Sequence, residues 1–145
     1  MDHDPDCFYC AKHRAGTDAP PGGWLVDDEL WLVGHGPAAM SMAGAVRIEA
    51  RRHFVDFAGM TDDEARSFGP LLERLYAAML PATGAERIHL LATMDFQPHF
   101  HAWLYPRRAD EPDRGTTFIH QARSCSPEAA EAAATAIRAE LTARA

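Results

Sequence analysis

Two histidines separated by one residue carry the clearest chemical signal in this sequence. They are His99 and His101, within the run PHFHAWLYPR at 98–107. Because alternate side chains of a strand share a face, Trp103 is predicted to lie on the same side as both histidines. A neutral imidazole is a good nucleophile near pH 7, so the pattern indicates attack on a phosphoryl group, with Arg107 as a cationic partner. A histidine-rich strand whose rings bond only backbone groups is the alternative.

A second group of reactive side chains lies near the N-terminus. Cys7 and Cys10 have the spacing of two ligands in a tetrahedral zinc site, which needs two further ligands from elsewhere. A redox pair and a plain buried pair are the alternatives. We favour zinc, because a redox CxxC usually opens a helix after a strand, and no strand is predicted before residue 7. Three cysteines in total do not fit a secreted disulfide framework.

The strands that must position these residues follow an α+β order. The turn-rich segment 1–23 is predicted to form a loop or small zinc knuckle around the two cysteines. Apolar or alternating runs predict strands at 24–26, 30–33, 45–50, 88–92 and 100–105. Strands grouped around one crossover helix favour an antiparallel α+β sandwich over a doubly wound parallel sheet.

Two helices are predicted from their N-terminal caps. Thr61 and Glu64 form a capping box that opens a long amphipathic helix, and Pro81 and Gly84 are expected to end it. Ser126, followed by proline, opens a final helix. The apolar face of that final helix is thin, so we expect it to dock weakly.

Composition limits the class of protein. The chain has 145 residues and 16.0 kDa, enough for one domain over 1–145 and not for two. Fourteen basic and twenty-one acidic residues give a net charge of −7, which disfavours a nucleic-acid partner. The acidic N-terminus does not resemble a signal peptide, and no apolar run reaches the roughly 20 residues of a membrane span. We therefore expect a cytoplasmic protein without a membrane partner.

The run at 98–107 resembles the signature of the histidine triad (HIT) superfamily, His-x-His-x-His-x-x, often followed by Pro-Arg. The CxxC, the segment 44–53 and the capped helix also occur in the family's order. The resemblance implies a five-stranded antiparallel sheet with helices on one face, paired into a homodimer with a continuous sheet. It fades after about residue 110, so 110–145 is treated as a divergent C-terminal tail and helix.

The resemblance also implies roles for individual residues. The middle histidine of the motif, His101, would attack the α-phosphate of a nucleotide and form a nucleotidyl-imidazole intermediate, which water or a second substrate then releases. Many HIT proteins with such an N-terminal knuckle hold a structural zinc ion with two cysteines and two histidines. Carried over, these ligands are Cys7, Cys10, His53 and His99. His101 would then be the one histidine left free on its strand face.

The sequence departs from the family pattern in the predicted substrate site. Trp103 stands where the third histidine belongs, and indole can donate one hydrogen bond but cannot shuttle a proton. Asp95 lies where family members often have asparagine or another phosphate-contacting residue. The acidic residue that usually binds the ribose is not evident, although His35 is a candidate pocket residue nearby. Gln97 and Arg107 complete the predicted substrate-binding residues.

Three functions remain open from the sequence. The leading hypothesis is a zinc-stabilised homodimer that acts on a nucleotide or other small phosphate-containing molecule. His101 would cleave a phosphoramidate or phosphoanhydride bond, or transfer a nucleotidyl group. The second is a divergent HIT-fold enzyme of specialised metabolism with a non-nucleotide substrate and a catalytic zinc ion. The third is a nucleotide-binding module without catalysis.

Overall fold

A computed structural model describes residues 2–16 and 19–145 of the chain. Two short 3-10 turns lie at Ala38–Met40 and Phe57–Gly59. The elements are α1 (Phe8–Ala15), β1 (Val26–Asp27), β2 (Trp31–His35), β3 (Val46–Ala50), α2 (Asp62–Thr83), β4 (Arg87–Leu91), β5 (His101–Arg107), α3 (Gly115–Ile119) and α4 (Pro127–Ala143).

The five strands form one antiparallel sheet in the order β1-β2-β3-β5-β4. The predicted α+β class and the five-stranded antiparallel sheet are confirmed. In the β3–β5 register, Glu49 faces His101 and Arg47 faces Trp103. Directly opposed residues of antiparallel strands share a face, so these four side chains lie on the same side of the sheet.

The opposite face of the sheet forms the core. Its apolar side chains include Trp31, Ile48, Phe100, Ala102 and Leu104, and all are buried. Helix α2 covers this face with an apolar stripe at helical spacing, formed by Phe68, Leu71, Leu75 and Met79. The prediction that Phe100, Ala102 and Leu104 point into the core is thereby confirmed.

The long helix begins as predicted and ends later. The Thr61 hydroxyl accepts a hydrogen bond from the Glu64 N–H, and the Glu64 carboxylate accepts one from the Thr61 N–H. Pro81 does not end the helix, which continues to Thr83. The end comes at Gly84, whose φ of 68° is the left-handed conformation that glycine adopts at low cost.

Helix α4 docks more tightly than its thin apolar face predicted. Ala130, Ala134 and Ile137 are fully buried, and α4 lies against α2. Small alanine side chains allow close approach: a Cβ on Gly22 would lie 2.8 Å from the Cβ of Ala134. The expectation of weak docking was wrong. The small side chains of α4 let the loop at Gly22 approach the helix closely, so large apolar side chains are not needed at this contact.

Two short helices were not predicted. The segment read as a loop or knuckle contains α1, with Cys7 as its N-cap and Gly16, at φ 64°, as its C-cap. Helix α3 lies between β5 and α4, and its Phe118 is buried against His89. Within the described residues, no helix combines the length and the apolar character needed to cross a bilayer.

Removing the hydroxyl of the capping box should destabilise the protein measurably. We expect Thr61→Ala to lower the free energy of unfolding by about 1 kcal/mol, because the Glu64 N–H loses its acceptor. Thr61→Ser keeps the hydroxyl and serves as the matched control, within about 0.5 kcal/mol of the wild type. Urea denaturation measures both, and equal losses in the two variants would contradict the prediction.

Candidate functional site

Four side chains from three distant parts of the sequence converge at the end of the sheet where β3 ends and β5 begins. The Cys7 Sγ lies 3.4 Å from the His99 Nδ1, and the Cys10 Sγ lies 3.7 Å from the same atom. The His53 Nδ1 is 3.5 Å from the Cys10 Sγ and 3.3 Å from the His99 Nδ1. All four ligand atoms lie within 4.8 Å of one another. The structure thus brings together the four residues predicted as metal ligands.

The distances among these atoms fit a tetrahedral ion. Zinc–sulfur bonds of about 2.3 Å and zinc–nitrogen bonds of about 2.0–2.1 Å imply S···N separations near 3.5 Å and N···N separations near 3.3 Å. The outer nitrogen of His99 is also occupied as in metal sites, since its Nε2–H donates to the Ala50 carbonyl at 2.6 Å. The His53 Nε2 lies 3.8 Å from the Asp4 carboxylate. Two thiols and two imidazoles form a closed four-ligand set for zinc.

The CxxC lies at the N-terminus of a helix, where the sequence predicted a loop or small knuckle. Cys7 caps α1, and its Sγ accepts from the Cys10 N–H at 3.5 Å. No strand precedes it among the described residues. Burial raises the pKa of the Cys10 thiol, whereas redox-active thiols have a lowered pKa. The two histidines beside both sulfurs therefore support metal ligation over redox chemistry.

His101 is oriented by the backbone of its neighbour. Its Nδ1 lies 2.7 Å from the His99 carbonyl oxygen. A carbonyl can only accept, so Nδ1 carries the proton and Nε2 keeps its lone pair. Burial lowers the pKa of His101, which favours the neutral ring at pH 7. The Tyr9 ring of α1 lies over the imidazole with centroids 4.9 Å apart, so His101 is half-buried under the N-terminal helix.

A buried carboxylate connects α1 to the sheet beside His101. Glu49 is 1% exposed and binds the Lys12 Nζ at 2.7 Å, the His13 Nε2 at 2.9 Å and the Arg47 Nε at 3.1 Å. Burial by itself would raise the pKa of this carboxyl. The hydrogen bond from His13 and the charges of Arg47 and Lys12 outweigh it and lower the pKa to about 2. Glu49 is therefore ionised at neutral pH.

Arg47 lies between two aromatic rings on the same face. Its guanidinium carbon is 5.3 Å from the Tyr9 centroid and 5.2 Å from the Trp103 centroid. Trp103 stacks in turn on Tyr105, with centroids 5.7 Å apart and planes 5° from parallel. Sequence reasoning missed Tyr9, Arg47 and Glu49. The alternation at 45–50 was the available signal, but only the strand register shows that Arg47 and Glu49 face the motif.

Arg107 does not lie beside His101, contrary to the prediction. It is six residues farther along β5, and at about 3.3 Å per residue the separation is about 20 Å. Its guanidinium is buried, lies 3.5 Å from the Glu86 carboxylate and donates to the Arg108 carbonyl. The cation on the His101 face is Arg47 instead.

The other predicted substrate residues occupy different surroundings. His35 is buried: its Nδ1–H donates to the Gly36 carbonyl, and its Nε2 accepts from the Gly44 N–H. Neither ring nitrogen is left for a ligand. Asp95 and Gln97 are exposed in the loop between β4 and β5. That loop includes Met94 at φ 55°, a left-handed conformation unusual for a residue with a side chain.

Two small cavities adjoin the Glu49 network. One has a volume of about 130 Å³, with Trp24, Arg47 and Glu49 among its described lining residues. The other has about 250 Å³ and includes His13 and Trp24. Sites for drug-sized ligands usually measure about 300–1,000 Å³. Each cavity alone therefore suits only part of a nucleotide, such as one phosphate or one ring.

Solved structures share this architecture. A hypothetical histidine triad nucleotide-binding protein from Sulfolobus tokodaii has a TM-score of 0.73 at 16% identity, over 94% of this chain and 93% of that one. A HIT-like protein involved in cell-cycle regulation from Bartonella henselae has a TM-score of 0.72 at 12% identity, over 95% and 98%. A zinc-bound histidine triad family protein from Mycobacterium smegmatis has 0.69 at 18%, over 96% and 95%.

The chain therefore has the histidine triad fold, as the sequence predicted. Within that fold it carries His-x-His-x-Trp in place of the full triad, together with an N-terminal CxxC. Neither the known family models nor the curated protein sequences give a match.

The Glu49 network should make stability depend on pH in the acid range. The pKa of Glu49 is lowered from 4.5 to about 2, so its stabilisation is complete above about pH 4.5 and is lost as the pH falls toward 2. We expect Glu49→Gln to cost about 3 kcal/mol at pH 7. Denaturant unfolding from pH 7 to pH 2 should show the difference from wild type shrinking. Glu140→Gln, on the surface of α4, is the control, and a pH-independent difference for Glu49→Gln would contradict the assignment.

Proposed function

We propose that the protein is a histidine triad enzyme that cleaves or transfers a phosphate-linked group through a covalent intermediate on His101. The observation that carries this proposal is the hydrogen bond from the His101 Nδ1–H to the His99 carbonyl. It directs the unprotonated Nε2 away from the backbone, on the sheet face that also holds the cation Arg47. A neutral imidazole beside a permanent cation is suited to attack phosphorus.

The residues support a two-step reaction. His101 Nε2 attacks phosphorus and displaces the leaving group, while its Nδ1–H remains bonded to the His99 carbonyl, which stabilises the imidazolium that forms. Water or a second substrate then attacks phosphorus and releases the imidazole. Tyr9 covers the ring and excludes bulk water from one side.

A nucleotide is the substrate we propose first, with a phosphoramidate or phosphoanhydride as the bond that reacts. The fold supports it, and the Sulfolobus tokodaii protein of the same fold is described as nucleotide-binding. A smaller, non-nucleotide phosphate compound is the second candidate. The observation that favours it is the Glu49 network, which fills this face with charge and leaves cavities of only about 130 and 250 Å³.

We also propose that Cys7, Cys10, His53 and His99 hold a structural zinc ion. The Mycobacterium smegmatis protein of the same fold is zinc-bound, and four protein ligands leave no open position for substrate. The ion would attach α1 to the sheet and so keep Tyr9 over His101. A homodimer, a single domain over 1–145 and a cytoplasmic location remain predictions from the sequence.

Replacing the nucleophile should abolish the covalent intermediate. We expect wild-type protein incubated with ATP or an AMP–lysine conjugate to show a nucleotidyl adduct on His101 by mass spectrometry, with turnover. His101→Ala should lose the adduct and at least about 10³-fold in kcat, because it removes the nitrogen that bonds to phosphorus. His120→Ala, which alters the exposed histidine that follows α3, is the control and should retain both. Wild-type protein without adduct or turnover would contradict the nucleotide proposal.

Metal content tests the four-ligand assignment directly. We expect about one equivalent of zinc per chain by elemental analysis, and a loss of most of it in Cys10→Ser. That variant should also unfold at lower temperature, because metal binding stabilises the folded state. Cys125→Ser alters the cysteine that lies outside the cluster and should retain the metal. Equal zinc content in the two variants would overturn the assignment.

A further inference from the structure

The described residues around His101 include the cation Arg47, and the next side chain on the same face of β5 is an indole. Trp103, two residues along β5 on the same face, has an indole N–H that donates a hydrogen bond and not a proton. The phenol of Tyr105 is a poor acid, since burial raises its pKa to about 12. The His13 ring contacts those of Tyr9 and His99, and its Nε2 is engaged with Glu49.

Arg47 is held where it can reach a group bound at His101. Arg47 and Trp103 are directly opposed across β3 and β5, which makes Arg47 a diagonal neighbour of His101, within reach of a long side chain. The Glu49 carboxylate holds its Nε at 3.1 Å, and two aromatic rings enclose the guanidinium.

Trp103 is itself held in place. A Cβ on Gly36 would lie 2.5 Å from the indole, so only glycine leaves room for the ring there. The indole cannot move toward β2, and it therefore keeps Arg47 in a defined position. The side chain of Arg47 is 13% exposed, and Arg47 also borders the 130 Å³ cavity on the β2 side of β3.

We propose that Arg47 binds the phosphoryl oxygens during transfer to His101 and that it restricts the enzyme to phosphoanhydrides and related donors whose leaving group departs without a proton. The inference rests on the proposed function and specifies its substrate class. A guanidinium stabilises developing negative charge, but it stays protonated at all relevant pH values. Amine and alkoxide leaving groups need a proton, which Trp103, beside His101 on β5, cannot supply.

Transfer to His101 and the following hydrolysis need only the phosphoanhydride and water. The bond from His101 Nε2 to phosphorus forms as the bond from phosphorus to the bridging oxygen breaks. The leaving phosphate departs with the electron pair as an anion. Water then attacks phosphorus, the N–P bond breaks, the electron pair returns to Nε2, and the proton of the water goes to bulk solvent.

The test compares two donors that differ in the leaving group. ATP and an N-alkyl phosphoramidate of AMP are each incubated with holoprotein, and both His101 adduct formation and steady-state rates are measured. We expect the wild type to favour ATP by at least about 100-fold in kcat/KM. Arg47→Gln should lose about 10²–10³-fold on ATP, mainly in kcat, the usual cost of removing one such donor. Arg47→Lys should lose less, because it keeps the charge.

Two further variants make the test specific. Arg66→Gln removes an exposed arginine of α2 and should match the wild type on both donors. Trp103→His adds a proton donor and should raise the rate on the phosphoramidate at least tenfold. The preference for ATP over the phosphoramidate should therefore decrease. Thermal unfolding is measured for every variant to detect loss of fold. If Arg47→Gln is unfolded, the rates of Arg47→Lys are used in its place.

The outcomes separate this inference from the proposed function. Two results would overturn the role of Arg47 while keeping His101 as the proposed nucleophile. In both, the His101 adduct forms. In the first, the rates on the two donors are equal; in the second, Arg47→Gln and Arg47→Lys are as active on ATP as Arg66→Gln. No adduct and no turnover with either donor overturns the proposed function, and this inference with it.

Discussion

The burial of an ionised carboxylate, Glu49, is the constraint on which this face of the sheet depends. An unpaired charge at 1% exposure would cost several kcal/mol, so the position requires cations around it. Two of its partners, Lys12 and His13, come from α1, and the third, Arg47, comes from its own strand. Binding the Glu49 carboxylate therefore fixes both the N-terminal helix over the sheet and an arginine beside His101.

The cluster of Cys7, Cys10, His53 and His99 also holds α1 against the sheet, at the N-terminal end of that helix. Cys7 and Cys10 belong to the first turn of α1, whereas His53 and His99 belong to segments next to the sheet. Between the cluster and the Glu49 network lies Tyr9, which covers His101. The contacts that hold α1 on the sheet therefore also place Tyr9 over His101, and so limit what can approach its ring.

Much of the fold follows from short-range patterns. The five strands, the capped helix α2 and the start of α4 were predictable because hydrophobic periodicity and caps act over a few residues. Helix α1 was not, because proline, glycine and aspartate around it resemble a loop, and its stability comes from contacts with the sheet. Of the site, the cluster of Cys7, Cys10, His53 and His99 was predictable from the family resemblance, whereas the positions of Glu49 and Arg47 were not.

The sequence by itself determined that His99 and His101 share a strand face, because the two-residue period of a strand is local geometry. It also determined the absence of the third histidine, since Trp103 occupies that position. Only the tertiary structure decided which cation accompanies His101. Arg107 is near in sequence but about 20 Å away along an extended strand. Arg47 is distant in sequence but adjacent in space, because the pairing of β3 with β5 sets the register between them.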